Sequence, residues 1–254
     1  MNVLQLNGSY HQRPMDVYVY SPVQHTDVVT IVCKGLYSVF DPTHSCGVNV
    51  LGDMLVDASL SHVVFYNSSR DFVFGADSNF ESRRAAFAEK TFDDELSDLH
   101  TVIAYVINHA QEMFNIDQSR LILYLHGTSI GGTVAVMATE TFPQIGKLSL
   151  CAPPSNKGAS RKPIVSSMPQ SERLFKVAGQ FTGDMFLLYG GNDTIVPKES
   201  SFAIVQHAVS ARVTSMVVPN ADHDFRKLDG NETHDAQVIF AKAIFDFFSR
   251  RVTT

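Results

Sequence analysis

Gly127-Thr128-Ser129-Ile130-Gly131 fits the pattern G-x-S-x-G. Residues 121–125 before it are apolar throughout, which predicts a strand covered on both faces. Residues 133–141 after it are mostly small and apolar and predict a helix. A serine at so tight a strand-to-helix turn projects its hydroxyl from the sheet edge, and the flanking glycines keep side chains out of the bend. The chemistry this offers is nucleophilic attack on a carbonyl carbon. A serine hydroxyl is a weak nucleophile near neutrality, so a histidine must take its proton and a carboxylate must hold the right histidine tautomer.

Both partners can be picked from loops that follow strand-like runs. Asp193 comes after Phe186-Leu187-Leu188-Tyr189 and the flexible Gly190-Gly191-Asn192, at a strand end where ligands commonly sit. Taken alone, it is equally well a turn residue capping local N–H groups. His223 follows Val217-Val218-Pro219 in a polar loop and is the candidate base. Asp222 and Asp224 flank it and suit turn capping better than orientation of the ring. His207 and His234 occupy helix-like positions, with His234 the fallback base; His126, at a strand end, is expected to be a hydrogen-bonded buttress.

The chain order Ser129, Asp193, His223, with Leu-His-Gly-Thr-Ser-Ile-Gly-Gly at 125–132, resembles the α/β-hydrolase superfamily over nearly the whole length. Gly190-Gly191-Asn192-Asp193-Thr194-Ile195-Val196-Pro197 looks like that family's acid loop, G-x-x-D-x-x-V-P. Two positions depart from it: Ala221 stands where G-x-H has glycine, and Lys34 stands where many relatives have histidine before Gly35. The resemblance implies an α/β class chain with the α/β-hydrolase fold: a mostly parallel central sheet, helices on both faces and a minimal cap, all in one domain, 1–254. It also implies a serine hydrolase needing neither cofactor nor metal, acting on a small or medium acyl ester through an acyl-enzyme. Thioesters and amides are the alternative substrates, and an interaction protein on a non-catalytic hydrolase scaffold is the alternative of another class. Oxyanion donors are expected at the backbone N–H of Ile130, from the elbow, and of Leu36, by position in the first βα loop.

The elements that must hold these residues are legible as a βα alternation. Strands are expected at 16–20, 28–33, 63–66, 121–125, 148–151, 185–189 and 213–218. Helices are expected from 48, with Leu51, Leu55 and Leu60 on one stripe, and at 92–114, 133–141, 200–207 and 235–248. The polar opening, 1–14, lacks the apolar core of a secretory signal and is not expected to be a membrane anchor. Residues 153–170, rich in Pro, Ser, Gly and Lys, read as a site-facing loop; the short interval up to residue 184 leaves no room for a large helical lid. Tyr37, Phe40 and Met168 are the possible apolar lining of the substrate site.

Composition narrows the remaining classes. At 254 residues and 44% hydrophobic, the chain can bury one continuous core, so disorder and fibrous repeats are out. A net charge of −6 disfavours nucleic acid and anionic membrane as partners, and no segment reaches eighteen unbroken apolar residues. The partner expected is a small acyl molecule. Arg83, Arg84, Lys157, Arg161 and Lys162 are scattered among acids as a solvated face, and Lys34 is expected at the surface. Neither zincin spacing nor a Walker lysine is present. Cys33, Cys46 and Cys151 cannot all pair within one chain, which favours a reduced, cytoplasmic setting, with Cys33 and Cys151 as buried small hydrophobes.

Overall fold

The computed structural model describes residues 1–43, 46–74 and 78–250. Positions 44–45, 75–77 and 251–254, all within the expected domain 1–254, lie outside the described residues. In chain order the strands are β1 (Asn2–Asn7), β2 (Pro14–Tyr20), β3 (Val28–Cys33), β4 (His62–Tyr66), β5 (Ile122–Thr128), β6 (Ile145–Cys151), β7 (Asp184–Gly190), β8 (Arg212–Val218), β9 (Lys227–Leu228) and β10 (Asn231–Glu232). The helices are α1 (Gly47–Asp57), α2 (Phe80–Ala86), α3 (Phe92–Asn108), α4 (Ala110–Phe114), α5 (Ile130–Ala138), α6 (Pro163–Ser166), α7 (Ser171–Gln180), α8 (Lys198–His207) and α9 (His234–Ser249).

One eight-stranded sheet runs β1-β2-β4-β3-β5-β6-β7-β8. β1 pairs with β2 and β2 with β4 in antiparallel fashion; every other neighbouring pair is parallel. The parallel strands therefore end on one edge, and the loops that leave that edge carry the candidate residues.

Two-residue alternation explains why these runs are apolar throughout. Val29, Ile31, Leu123, Leu125, Met185 and Leu187 enter one core, under α3, α5, α7 and α8. Their neighbours Val32, Tyr124, Phe186 and Leu188 enter the other, under α1 and α9. Each strand thus needs apolar side chains on both faces, as a sheet covered by helices requires.

The structure departs from the expected elements, or adds to them, at four places. Residues 2–7 form an edge strand, because Leu4 and Leu6 pack onto the core while the polar positions between them face water. The helix expected over 92–114 breaks at His109, whose backbone leaves the helical region (φ −115°, ψ 17°) while its Nδ1 meets Tyr105 O at 2.9 Å. Leu60 falls beyond α1, in the turn whose N–H bonds Leu55 O. The segment 153–170, expected as loop, contains α6, and it is anchored at its base: Ser201 Oγ donates to Pro153 O, Thr133 Oγ1 to Pro154 O and the Ser155 N–H to Ser200 Oγ.

Candidate active site

Ser129 follows the last residue of β5 and precedes the first of α5, with φ 51° and ψ −128°. A non-glycine residue in that region costs about 1–3 kcal/mol, so the surrounding structure must impose it. It does so by close backbone approach. A Cβ on Gly127 would lie 2.5 Å from Gly131 O, and one on Gly131 would meet Lys34 O and, at 2.6 Å, Cys33 O. Helix α5 is thereby seated against both its own strand and the loop after β3. The Ser129 N–H donates to Cys151 O at 2.8 Å, tying the bend to β6.

Leu36 lies in the loop after β3, which is clamped at several points. Ser38 N–H donates to Gly35 O at 3.1 Å across a turn with Tyr37 at φ 57°. Lys34 Nζ donates to Val39 O at 2.7 Å, and Asn67 beyond β4 grips Phe40 both ways, accepting from its N–H at 2.5 Å and donating to its carbonyl at 3.0 Å. Among the described residues, no acceptor takes the Leu36 N–H, and the Ile130 N–H, the first of α5, has no intrahelical acceptor. Gly35 sits beside the serine: a Cβ there would lie 3.3 Å from Ser129 Cβ.

The Lys34 ammonium is turned inward, contrary to the surface placement expected for it. Burial lowers its pKa, and the charges of Arg226 and Arg83 press in the same direction against Cys46 and Asp41. The half-buried Lys34 side chain thus holds a carbonyl of its own loop.

Asp193 and His223 meet directly, His223 Nδ1 to Asp193 Oδ2 at 2.7 Å, with the carboxylate side chain fully buried. Their loops are zipped together by backbone bonds: Gly191 N–H to Val218 O and Asn192 N–H to Ala221 O. The Asp193 Oδ1 accepts from Ile195 and Val196 N–H at 2.8 and 2.9 Å, so this residue caps its turn as well as holding the ring. Burial pushes the Asp193 carboxyl up, but the His223 hydrogen bond and those N–H groups outweigh it and keep the carboxyl below its ordinary range. With Nδ1 committed to the carboxylate, Nε2 is the nitrogen left to take a proton. Among the described residues, Ser129 Oγ makes no hydrogen bond to His223 in this resting arrangement.

The base loop has supports that sequence reasoning missed. Phe225, buried at φ 53°, packs its ring 5.4 Å from Phe240 of α9, and β9 pairs with β10 just beyond. Asp222 Oδ1 accepts from the Arg226 and Lys227 N–H groups, the capping role anticipated for it. Asn67 and Phe225 carry no motif; the one signal for either is its type, an amide after a strand and an aromatic ring in an otherwise polar loop.

His126 is fully buried, with Nδ1 3.2 Å from Ser149 Oγ and its ring edge-on to Phe240. Burial lowers its pKa to about 3, so it stands neutral beneath the elbow. The three lining candidates need correction: Tyr37, Phe40 and Met168 are only 3%, 3% and 7% exposed. They anchor their loops instead. Phe40 stacks on Phe65 at 4.0 Å, and both face a cleft of about 250 Å³ toward α1 whose lining contains none of Ser129, Asp193 or His223.

No protein-family model and no curated protein matches the sequence. Solved structures do match in shape. A serine hydrolase without lid from Xanthomonas campestris is 21% identical, with a TM-score of 0.60, over 99% of this chain and 96% of its own. An alpha-beta serine hydrolase homologue from Coxiella burnetii is 18% identical, with a TM-score of 0.62, over 97% and 96%. The esterase domain of a Rhodothermus marinus protein is 13% identical, with a TM-score of 0.63, over 97% and 98%.

Proposed function

The chain has the α/β-hydrolase fold, and from that premise we propose that it is a serine hydrolase of carboxylic esters. Ser129 is the nucleophile, His223 the general base and Asp193 the orienting carboxylate. One observation carries this assignment above the others: a serine held at φ 51° on the same sheet edge as a buried carboxylate bound 2.7 Å from a histidine Nδ1. A turn-capping role for Asp193 explains its N–H contacts but leaves the histidine without a purpose.

In the reaction, Ser129 Oγ attacks the carbonyl carbon as His223 Nε2 takes its proton. The carbonyl oxygen gains charge beside the N–H groups of Leu36 and Ile130. The bond to the alcohol oxygen then breaks, His223 returns the proton to the leaving alcohol, and water repeats the sequence to free the acid and the serine. Cys33 and Cys151 are no rival nucleophiles: burial pushes the Cys33 thiol up to about 12 and the Cys151 thiol well above its ordinary value. Cys33, Cys46 and Cys151 are free thiols, which suits a reducing, cytoplasmic setting.

The substrate is a small or medium acyl ester. The likeness in shape to a serine hydrolase without lid supports this, as does the modest insertion between β6 and β7, where α6 has four residues. The test is a matched panel of acyl esters, thioesters and amides given to wild type and S129A. Esters should turn over fastest, and S129A, still folded, should lose at least about 10³-fold in kcat. Hydrolysis by S129A at the wild-type rate would overturn the assignment, and thioester or amide preference would move the substrate class.

A further inference from the structure

Among the described residues the eight-stranded sheet ends on β1 at one side and β8 at the other, and the two ends are finished differently. At β1, Leu4 and Leu6 pack onto the core. At β8, every residue from Arg212 to Val217 is exposed, and Val218 alone is buried. Val213, Met216 and Val217 are 37%, 40% and 36% exposed, so apolar side chains stand open on both faces of one strand. The flanking helices sit further in: α8 packs on β7 and α7, and α9 on β6, β7 and α1. The run 213–218 also lacks the devices by which an edge strand repels another. It has no charge, proline or glycine, and its register against β7 is unbroken.

Two hydrogen bonds fix which backbone groups face the open edge. Arg212 N–H donates to Gly183 O, and Val218 O accepts from Gly191 N–H, so the even-numbered residues of β8 turn their backbone groups toward β7. Alternation then turns the N–H and C=O of Val213, Ser215 and Val217 outward. Their side chains share the α8 face with Met185, which is in register with Val213, while Thr214 and Met216 share the α9 face with Val218.

Set antiparallel to a second copy about Ser215, this edge is complementary to itself. Val213 falls opposite Val217, Ser215 opposite Ser215 and Thr214 opposite Met216, and the outward groups of 213, 215 and 217 meet as hydrogen-bonded pairs. The extent suits a stable dimer. Seven residues span about 23 Å, and a helix, sheet and helix stack to about 30 Å, so the wall along β8 offers about 700 Å² per copy against about 800 Å² in a standard interface. The strand spacings from β7 across the joined edge to its counterpart would hold the two α8 helices about 14 Å apart, near enough for their side chains to cover the bare valines.

We infer that two copies of this chain pair through β8, antiparallel about a two-fold axis at Ser215, into one continuous sheet. The pairing is independent of the chemistry at Ser129, and the two candidate sites would open at opposite edges of the joined sheet.

Sedimentation equilibrium from about 1 to 200 µM tests this on wild type, S215P and V217K, with folding checked by circular dichroism. Proline at 215 removes an outward N–H and spares the bonds to β7, and lysine at 217 sets a charge opposite Val213. Wild type should reach twice the chain mass at the upper concentrations, and each variant should raise the dimer Kd by at least about tenfold. In wild type the amides of Val213, Ser215 and Val217 should exchange with D2O more slowly as concentration rises. A wild type that stays monomeric throughout overturns the inference and leaves the edge to a different chain. A dimer that a folded variant leaves unchanged, or that forms without slowing those amides, also overturns it. Should S215P fail to fold, V217K and the amides decide.

Discussion

The proposed acid and base half of the site and the proposed nucleophile half are held by different balances of contact. Asp193 and His223 are joined by a direct hydrogen bond, and their loops are zipped by backbone bonds from Gly191 and Asn192. Ser129 and Leu36 depend on close backbone approach beside the hydrogen bonds that clamp their loop: Gly127 and Gly131 let the start of α5 lie against β5 and the loop after β3, closer than a Cβ would allow. One half is therefore ready before substrate arrives. The other presents two N–H groups and a hydroxyl whose contact with His223 awaits the bound state, as is common for catalytic hydrogen bonds in unliganded enzymes. Loss of the carboxylate should be the most damaging change in the first half, and added volume at the glycines should damage the second.

The largest expected effect comes from breaking the polar half without changing its shape. D193N keeps the size of the side chain but loses the carboxylate that sets the His223 tautomer, and kcat should fall by about 10⁴-fold with little loss of fold. A drop of less than tenfold in steady-state kinetics would move the orienting role to another acid.

The steric half should respond to a single methyl group. G131A drives a Cβ into Cys33 O and Lys34 O, displacing the Leu36 N–H from the developing oxyanion. We expect about 10²-fold in kcat, with fluorophosphonate labelling slowed in parallel, because one donor of the oxyanion pair is lost. Unchanged kinetics in a folded G131A protein would show that the loop after β3 does not supply a donor.

Per pH unit, the smallest effect concerns stability beneath the elbow. The His126 imidazole has its pKa lowered to about 3, whereas the unfolded chain binds that proton near 6.5. Between those values the unfolded state holds the extra proton. This residue's contribution is therefore complete above the unfolded pKa and is lost as pH falls toward 3, by about 1.4 kcal/mol per pH unit. H126N should flatten the slope of unfolding free energy against pH in that window by that amount in denaturant titrations. A slope identical to wild type would mean that His126 is protonated in the folded protein.

The two halves were also unequally legible in the sequence. The elbow is local: five consecutive residues with two glycines state both the bend and the nucleophile, so Ser129 and Ile130 could be named from spacing. Asp193 and His223 were found by their positions after strands, since parallel strands deliver their following loops to one edge. What escaped was non-local. Asn67 clamps Phe40 from another strand, Phe225 is anchored by α9, and neither partner adjoins it in the chain. Tyr37, Phe40 and Met168 are ambiguous in sequence because an aromatic or thioether group in a loop can face either a ligand or the core; here the core claims all three. The strand at 2–7 had its signal in the alternation of Leu4 and Leu6 with polar residues, overlooked because an edge strand buries so little. The break at His109 is invisible to periodicity, because one non-helical residue barely changes the phase of the apolar stripe.

Peptide mapping of the protein after reaction with a fluorophosphonate tests the central claim most directly. A single adduct on Ser129 in wild type, absent from S129A and formed far more slowly in H223A, is the predicted result. Stoichiometric modification elsewhere, or none in a folded wild-type protein, would contradict it.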